Sequence, residues 1–114
     1  MRLSAAGYML DFRYRVTDPE KAALLGDRRV RAYLIHQDSG AKMVVPAPAK
    51  IGPLRQTARQ LKSGRTYFMF FANPGRLVKP GDTVTVVIGK FRVENLVVQG
   101  LGEAPQTVQM KEII

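Results

Sequence analysis

The chain has 114 residues, 46% apolar and 24% charged, which suits one domain built around a single hydrophobic core. It has no cysteine, which excludes disulfides, thiolate metal sites, cysteine nucleophiles and iron–sulfur clusters. Its net charge is +9, and no apolar run approaches the roughly eighteen residues of a membrane-spanning helix, nor do the first residues carry the apolar stretch of a secretion signal.

The first element is written in alternation. Tyr8, Leu10, Phe12, Tyr14 and Val16 fall on one face and Asp11, Arg13 and Arg15 on the other, which predicts a half-buried strand. Asp18 followed by Pro19 has the chemistry of a helix start, and Gly26 that of a stop, so one short helix is expected between them. Residues 29–36 predict a second strand, 37–40 a turn, and 42–45 the returning strand. Pro46, Pro48 and Pro53 lack an amide donor, so the stretch from Val45 onward is expected to cross the surface in extended form. Residues 54–62 fit either a loop or one helical turn. Residues 65–72 predict a strand apolar on both faces, and therefore one covered on both sides. Asn73-Pro74-Gly75 and Lys79-Pro80-Gly81-Asp82 are turns. Residues 83–88 and 91–98 form a hairpin at Gly89-Lys90, with glycine where a positive φ is needed. Residues 107–110 are the candidate for a further edge strand. The expected core is Leu10, Phe12, Phe68, Phe70, Val84, Val86 and Val97.

Six to seven short strands separated by turns, with one short helix, predict an all-β single domain, either a sandwich or a small barrel. The ordered core is expected at about residues 7–98, with 99–114 as a C-terminal extension.

Four stretches carry a likeness to known proteins. They are the strand from Gly7 to Val16, the segment Gly52-Pro53-Leu54-Arg55-Gln56-Thr57, Gly64-Arg65-Thr66-Tyr67-Phe68 through Asn73-Pro74-Gly75, and the run from Val78 to Gly89 with Phe91-Arg92-Val93-Glu94-Asn95-Leu96. Over roughly residues 6–98 the chain resembles a family of small bacterial cell-envelope proteins, exported or lipid-anchored, that has no assigned chemistry. The resemblance implies an immunoglobulin-like β-sandwich and a periplasmic or cell-envelope location. It transfers no catalytic residue.

The residues themselves argue against catalysis. His36 is the one histidine, and the serines are Ser4, Ser39 and Ser63. His36 and Ser39 flank a turn and could approach each other, but a strand-end histidine beside a polar turn is the plainer account. The glycines punctuate turns and open no phosphate-binding helix. The aromatic run at 67–71 reads as core rather than as a base-stacking platform. Copper is the one metal to weigh, with His36 and Met43 as the pair that could meet across a hairpin, and with Met9 and Met69 as more distant candidates. No catalytic residue, metal ligand or cofactor is assigned.

What stands out is where the charge lies. Residues 1–65 hold 13 Lys/Arg against 5 Asp/Glu, and residues 66–114 hold 5 against 4. A basic half points to an acidic partner. The candidate contact residues are Arg13, Arg15, Arg29, Arg31, Arg55 and Arg59. The first four are expected as a like-charge ladder if their two strands share a sheet. The function this favours is a non-enzymatic binding or assembly module of the cell envelope, docking an acidic protein subunit or an anionic membrane surface. The alternatives are a nucleic-acid-binding small β-barrel and a periplasmic copper carrier.

Overall fold

A computed structural model describes residues 1–16, 30–47, 55, 64–101 and 107–109. The eight strands are β1 (Arg2–Ser4), β2 (Met9–Arg15), β3 (Ala32–His36), β4 (Lys42–Val44), β5 (Thr66–Ala72), β6 (Thr83–Ile88), β7 (Phe91–Val97) and β8 (Thr107–Gln109). Short 3-10 turns at Ala5–Gly7 and Pro74–Arg76 complete the described elements. The helix expected after Asp18 and most of the proline-rich crossing lie outside the described residues.

The strands form two sheets. Sheet A runs β1-β2-β5, with β8 joining the same edge of β2 in parallel; sheet B runs β4-β3-β6-β7. The first seven strands, taken in chain order, thus follow the Greek-key order of an immunoglobulin-like sandwich, with β1, β2 and β5 facing β4, β3, β6 and β7. The all-β sandwich expected from the turn spacing is the fold found.

Alternation sets the core. In β2, Leu10, Phe12 and Tyr14 are fully buried, as is Val16 just beyond it. They pair across to β5 as Leu10↔Phe71, Phe12↔Met69 and Tyr14↔Tyr67. Those three β5 residues therefore share the inner face, and an aromatic ladder results: Phe12 lies 5.7 Å from Tyr14 and 6.4 Å from Phe71, and Tyr14 lies 5.8 Å from Tyr67, between ring centroids. Leu34, Val84, Val86 and Ile88 face them from sheet B.

Three expectations about the core need correction. Phe68 and Phe70 point to the outer face of sheet A and are only half-buried, because pairing with β2 commits the odd-numbered residues of the run inward. Val97 is exposed, since β7 carries a bulge: Val86 faces Val93 while Val84 faces Leu96, so one extra residue enters and reverses the phase. Asn95 holds the left-handed conformation there, with φ 59°. Tyr8 lies ahead of β2, exposed, with the Arg76 guanidinium 5.7 Å from its ring centroid.

A buried amide ties the two 3-10 turns together. Asn73 has no exposed surface; its Nδ2 donates to the carbonyls of Gly7 and Val78, each at 2.9 Å, and its Oδ1 accepts from the Val78 amide at 3.0 Å. The turns it joins contain Ala5, Ala6 and Arg76 at positive φ, a backbone state that side chains other than glycine adopt only at some cost.

Candidate functional site

Among the described residues, the arginines singled out by the sequence do not form one surface. β2 and β3 belong to different sheets, so Arg13 and Arg15 do not form the expected ladder with Arg31. Arg13 lies on the outer face of sheet A, where its guanidinium meets Asp11 at 3.3 Å; Arg2 meets the same carboxylate at 3.1 Å. Asp11 is 1% exposed, a buried anion held between two cations. Arg15 is exposed on the same sheet. Arg55, a candidate for contact with a partner, is instead 8% exposed, and its guanidinium donates to the carbonyl of Val30 at 2.7 Å. Its backbone bridges to Met69 on β5. Arg29 and Arg59 lie outside the described residues.

Arg31 stands elsewhere, at the entry to β3. Alternation along β3 and β4 sends Tyr33, Ile35, Lys42 and Val44 to the outer face of sheet B, while Leu34 and Met43 go to the core. Tyr33 pairs with Val44, and the Lys42 ammonium lies 5.1 Å from the Tyr33 ring centroid. Beside these residues opens a groove of about 470 Å³, lined by Arg31, Tyr33, Lys42, Val44, Val45 and Arg55 among others. No carboxylate appears among its described lining residues, and Val44 is 59% exposed. The groove thus combines an exposed apolar centre with cations. Lys42 and Tyr33 were not singled out as contacts from the sequence; their shared outward phase on a hairpin was the available signal.

A second constellation lies at the far end of β3. His36 closes the strand and is 5% exposed. Its Nδ1 lies 2.7 Å from the Ser39 hydroxyl, as turn spacing allowed. Its Nε2 lies 2.9 Å from Asp82 Oδ2, a partner 46 positions away that sequence spacing could not reveal. The β3–β6 pairing, with His36 opposite Val84, brings that turn into reach. Asp82 Oδ2 also accepts from the Lys79 amide at 3.0 Å. These two bonds, the backbone one foremost, hold the Asp82 carboxyl below its usual range.

Hydroxyl, imidazole and carboxylate in line are the parts of a nucleophilic hydrolase. Among the described residues, the backbone amides beside Ser39 are not free to complete one. The Ala41 amide donates to the Ser39 oxygen, and the Gly40 amide to the carbonyl of His36, so the two amides that follow the serine are already engaged. Of the copper candidates, Met43 is 4% exposed within the core and pairs with Leu34, one pair along the same inner face from His36.

Comparison of the chain with protein-family models, with curated proteins and with solved structures gives no match in any of the three.

Proposed function

We propose that this protein is a non-enzymatic binding or assembly module that docks an acidic protein partner through the outer face of sheet B around β3 and β4. The observation that carries the reading is the groove beside β4, where Arg31 and Lys42 flank Tyr33 and Val44 with no carboxylate among the described lining. An apolar centre with a charged rim is the anatomy of a protein interface, and cations without local anions favour an acidic counterpart. A cell-envelope setting accompanies this reading, supported by the resemblance of residues 6–98 alone.

The test uses three probes with the folded protein: a labelled Asp/Glu-rich peptide carrying alternate aliphatic residues, vesicles containing phosphatidylglycerol, and single-stranded RNA. Arg31→Glu with Lys42→Glu should weaken peptide binding by about tenfold or more and flatten its salt dependence. Arg15→Glu on β2 with Arg65→Glu, which immediately precedes β5 and is exposed, changes the net charge equally and should have little effect. An equal loss in both pairs means net charge alone, and the docking face is wrong. Tighter binding of vesicles or RNA than of peptide transfers the function to a membrane surface or to nucleic acid.

A further inference from the structure

We propose that His36, Asp38 and Asp82 form a binding site for a divalent first-row transition ion of the zinc class, where the β3–β4 turn meets the Lys79–Asp82 turn.

The first argument is convergence. The chain has one histidine and half as many acidic as basic residues. Among the described residues the acids are Asp11, Asp38, Asp82 and Glu94, and two of these four gather at that histidine. A ring nitrogen of His36 and one carboxylate oxygen from each aspartate lie within 4.8 Å of one another. Bonds of about 2.0–2.2 Å to a common ion require only a modest closure of that triangle. Asp38 is exposed in the turn, and its side chain is the one able to supply it. Two carboxylates, a neutral imidazole and a divalent cation between them give a site of zero net charge.

The second argument is that the imidazole is already oriented as a ligand. A metal-binding histidine usually donates its other ring N–H to a fixed oxygen. Ser39 Oγ occupies that position on Nδ1. In the tautomer with its proton on Nε2, the ring donates to Asp82 and the Ser39 hydroxyl donates to Nδ1. With metal on Nε2, the ring proton moves to Nδ1 and Ser39 becomes the acceptor, its own proton turning toward solvent. A hydroxyl serves either role, so Ser39 can hold the ring in place with or without the ion on Nε2.

The donor set defines the ion. One nitrogen and two oxygens suit Zn²⁺ and its neighbours, whereas Cu(I) favours thioether sulfur, which this donor set lacks. Three protein donors leave positions for water, and the exposed Asp38 side gives the ion its entry.

The single histidine makes the experiment direct. Zn²⁺ is titrated into the folded protein while the imidazole nitrogens are followed by long-range ¹H–¹⁵N correlation and the heat by calorimetry. Saturable one-to-one binding with a metal-induced shift at Nε2, and Nδ1 retained as the N–H nitrogen, is the expected result. Asp38→Asn, at an exposed position that leaves the fold intact, should weaken binding by about tenfold or more, and His36→Gln should abolish it. Absence of saturable binding by the original protein overturns the site. So does Zn²⁺ binding that Asp38→Asn and His36→Gln leave unchanged, or a shift at Nδ1 in place of Nε2.

Discussion

Replacing Asn73 by alanine removes three hydrogen bonds at once from a place water does not reach. The amide serves the carbonyls of Gly7 and Val78 and the Val78 N–H, all at 2.9–3.0 Å, and the residue has no exposed surface. Each bond contributes about 1 kcal/mol net, and a buried backbone group left unpaired costs about 1–3 kcal/mol. With some relaxation and water entry, the loss should be about 3–5 kcal/mol, a large share of the roughly 5–15 kcal/mol that holds a typical domain folded. Asn73→Asp adds a control. Its carboxylate still accepts from the Val78 amide but faces two carbonyls that had received N–H donors. It should destabilise at least as much at neutral pH, and recover in part at acid pH, where the protonated carboxyl donates one bond. Urea unfolding at several pH values measures both. A loss below about 1 kcal/mol for Asn73→Ala, or no pH dependence in Asn73→Asp relative to the original, would refute the staple as a stability element.

Phe71→Ala should cost about 3–5 kcal/mol in the same assay, and Phe68→Ala clearly less, because only the former ring is fully inside the sandwich. Equal losses would mean that the inner face of β5 is misassigned. Burial raises the Tyr14 phenol from 10 to about 12, so the folded state holds that proton longer than the unfolded one and stability should fall as pH rises from 10 through about 12. Tyr14→Phe should flatten that decline at little cost near neutrality, as the buried hydroxyl has no partner among the described residues; a large loss at pH 7 would contradict this. Asp82 is shifted the other way, held ionised chiefly by the Lys79 amide and then by His36. Its contribution is present above the ordinary aspartate pKa of 3.8 and is lost as pH falls through the lower folded value. Acid titration of stability should therefore be shallower in Asp82→Asn, and an unchanged slope would remove the assigned role.

The strands were legible wherever side chains alternate. β2 shows its two faces because Arg13 and Asp11 interrupt the aromatics, and the β6–β7 hairpin shows itself through Gly89, which has φ 57°. Alternation falls silent in β5, where Tyr67 through Phe71 are all apolar; there only pairing with β2 decides which ring goes inside. In β7 the pattern is readable to Val93 and then misleads, because the bulge inserts a residue. Asn95 in a strand was a usable sign, since asparagine tolerates the left-handed state. The site divides in the same manner. The His36–Ser39 contact follows from local turn spacing, while Asp82 arrives through sheet pairing. The burial of Arg55 is a tertiary fact, invisible to a charge count, whereas the capture of Arg13 by Asp11 follows from their i, i+2 spacing on one strand face.

The bulge in β7 bears on how copies of this protein treat one another. β7 closes one side of sheet B, where a flat strand would offer a row of backbone donors and acceptors to another chain. The extra residue at Asn95 breaks the regular spacing of that row and twists the strand locally. Arg92 and Glu94, both more than half exposed and paired at 2.7 Å, place charge along the same border. On the opposite border β4 is three residues long and is followed almost at once by Pro46, which has no amide to donate. Both described borders of sheet B are thereby poorly suited to strand-to-strand pairing with another copy.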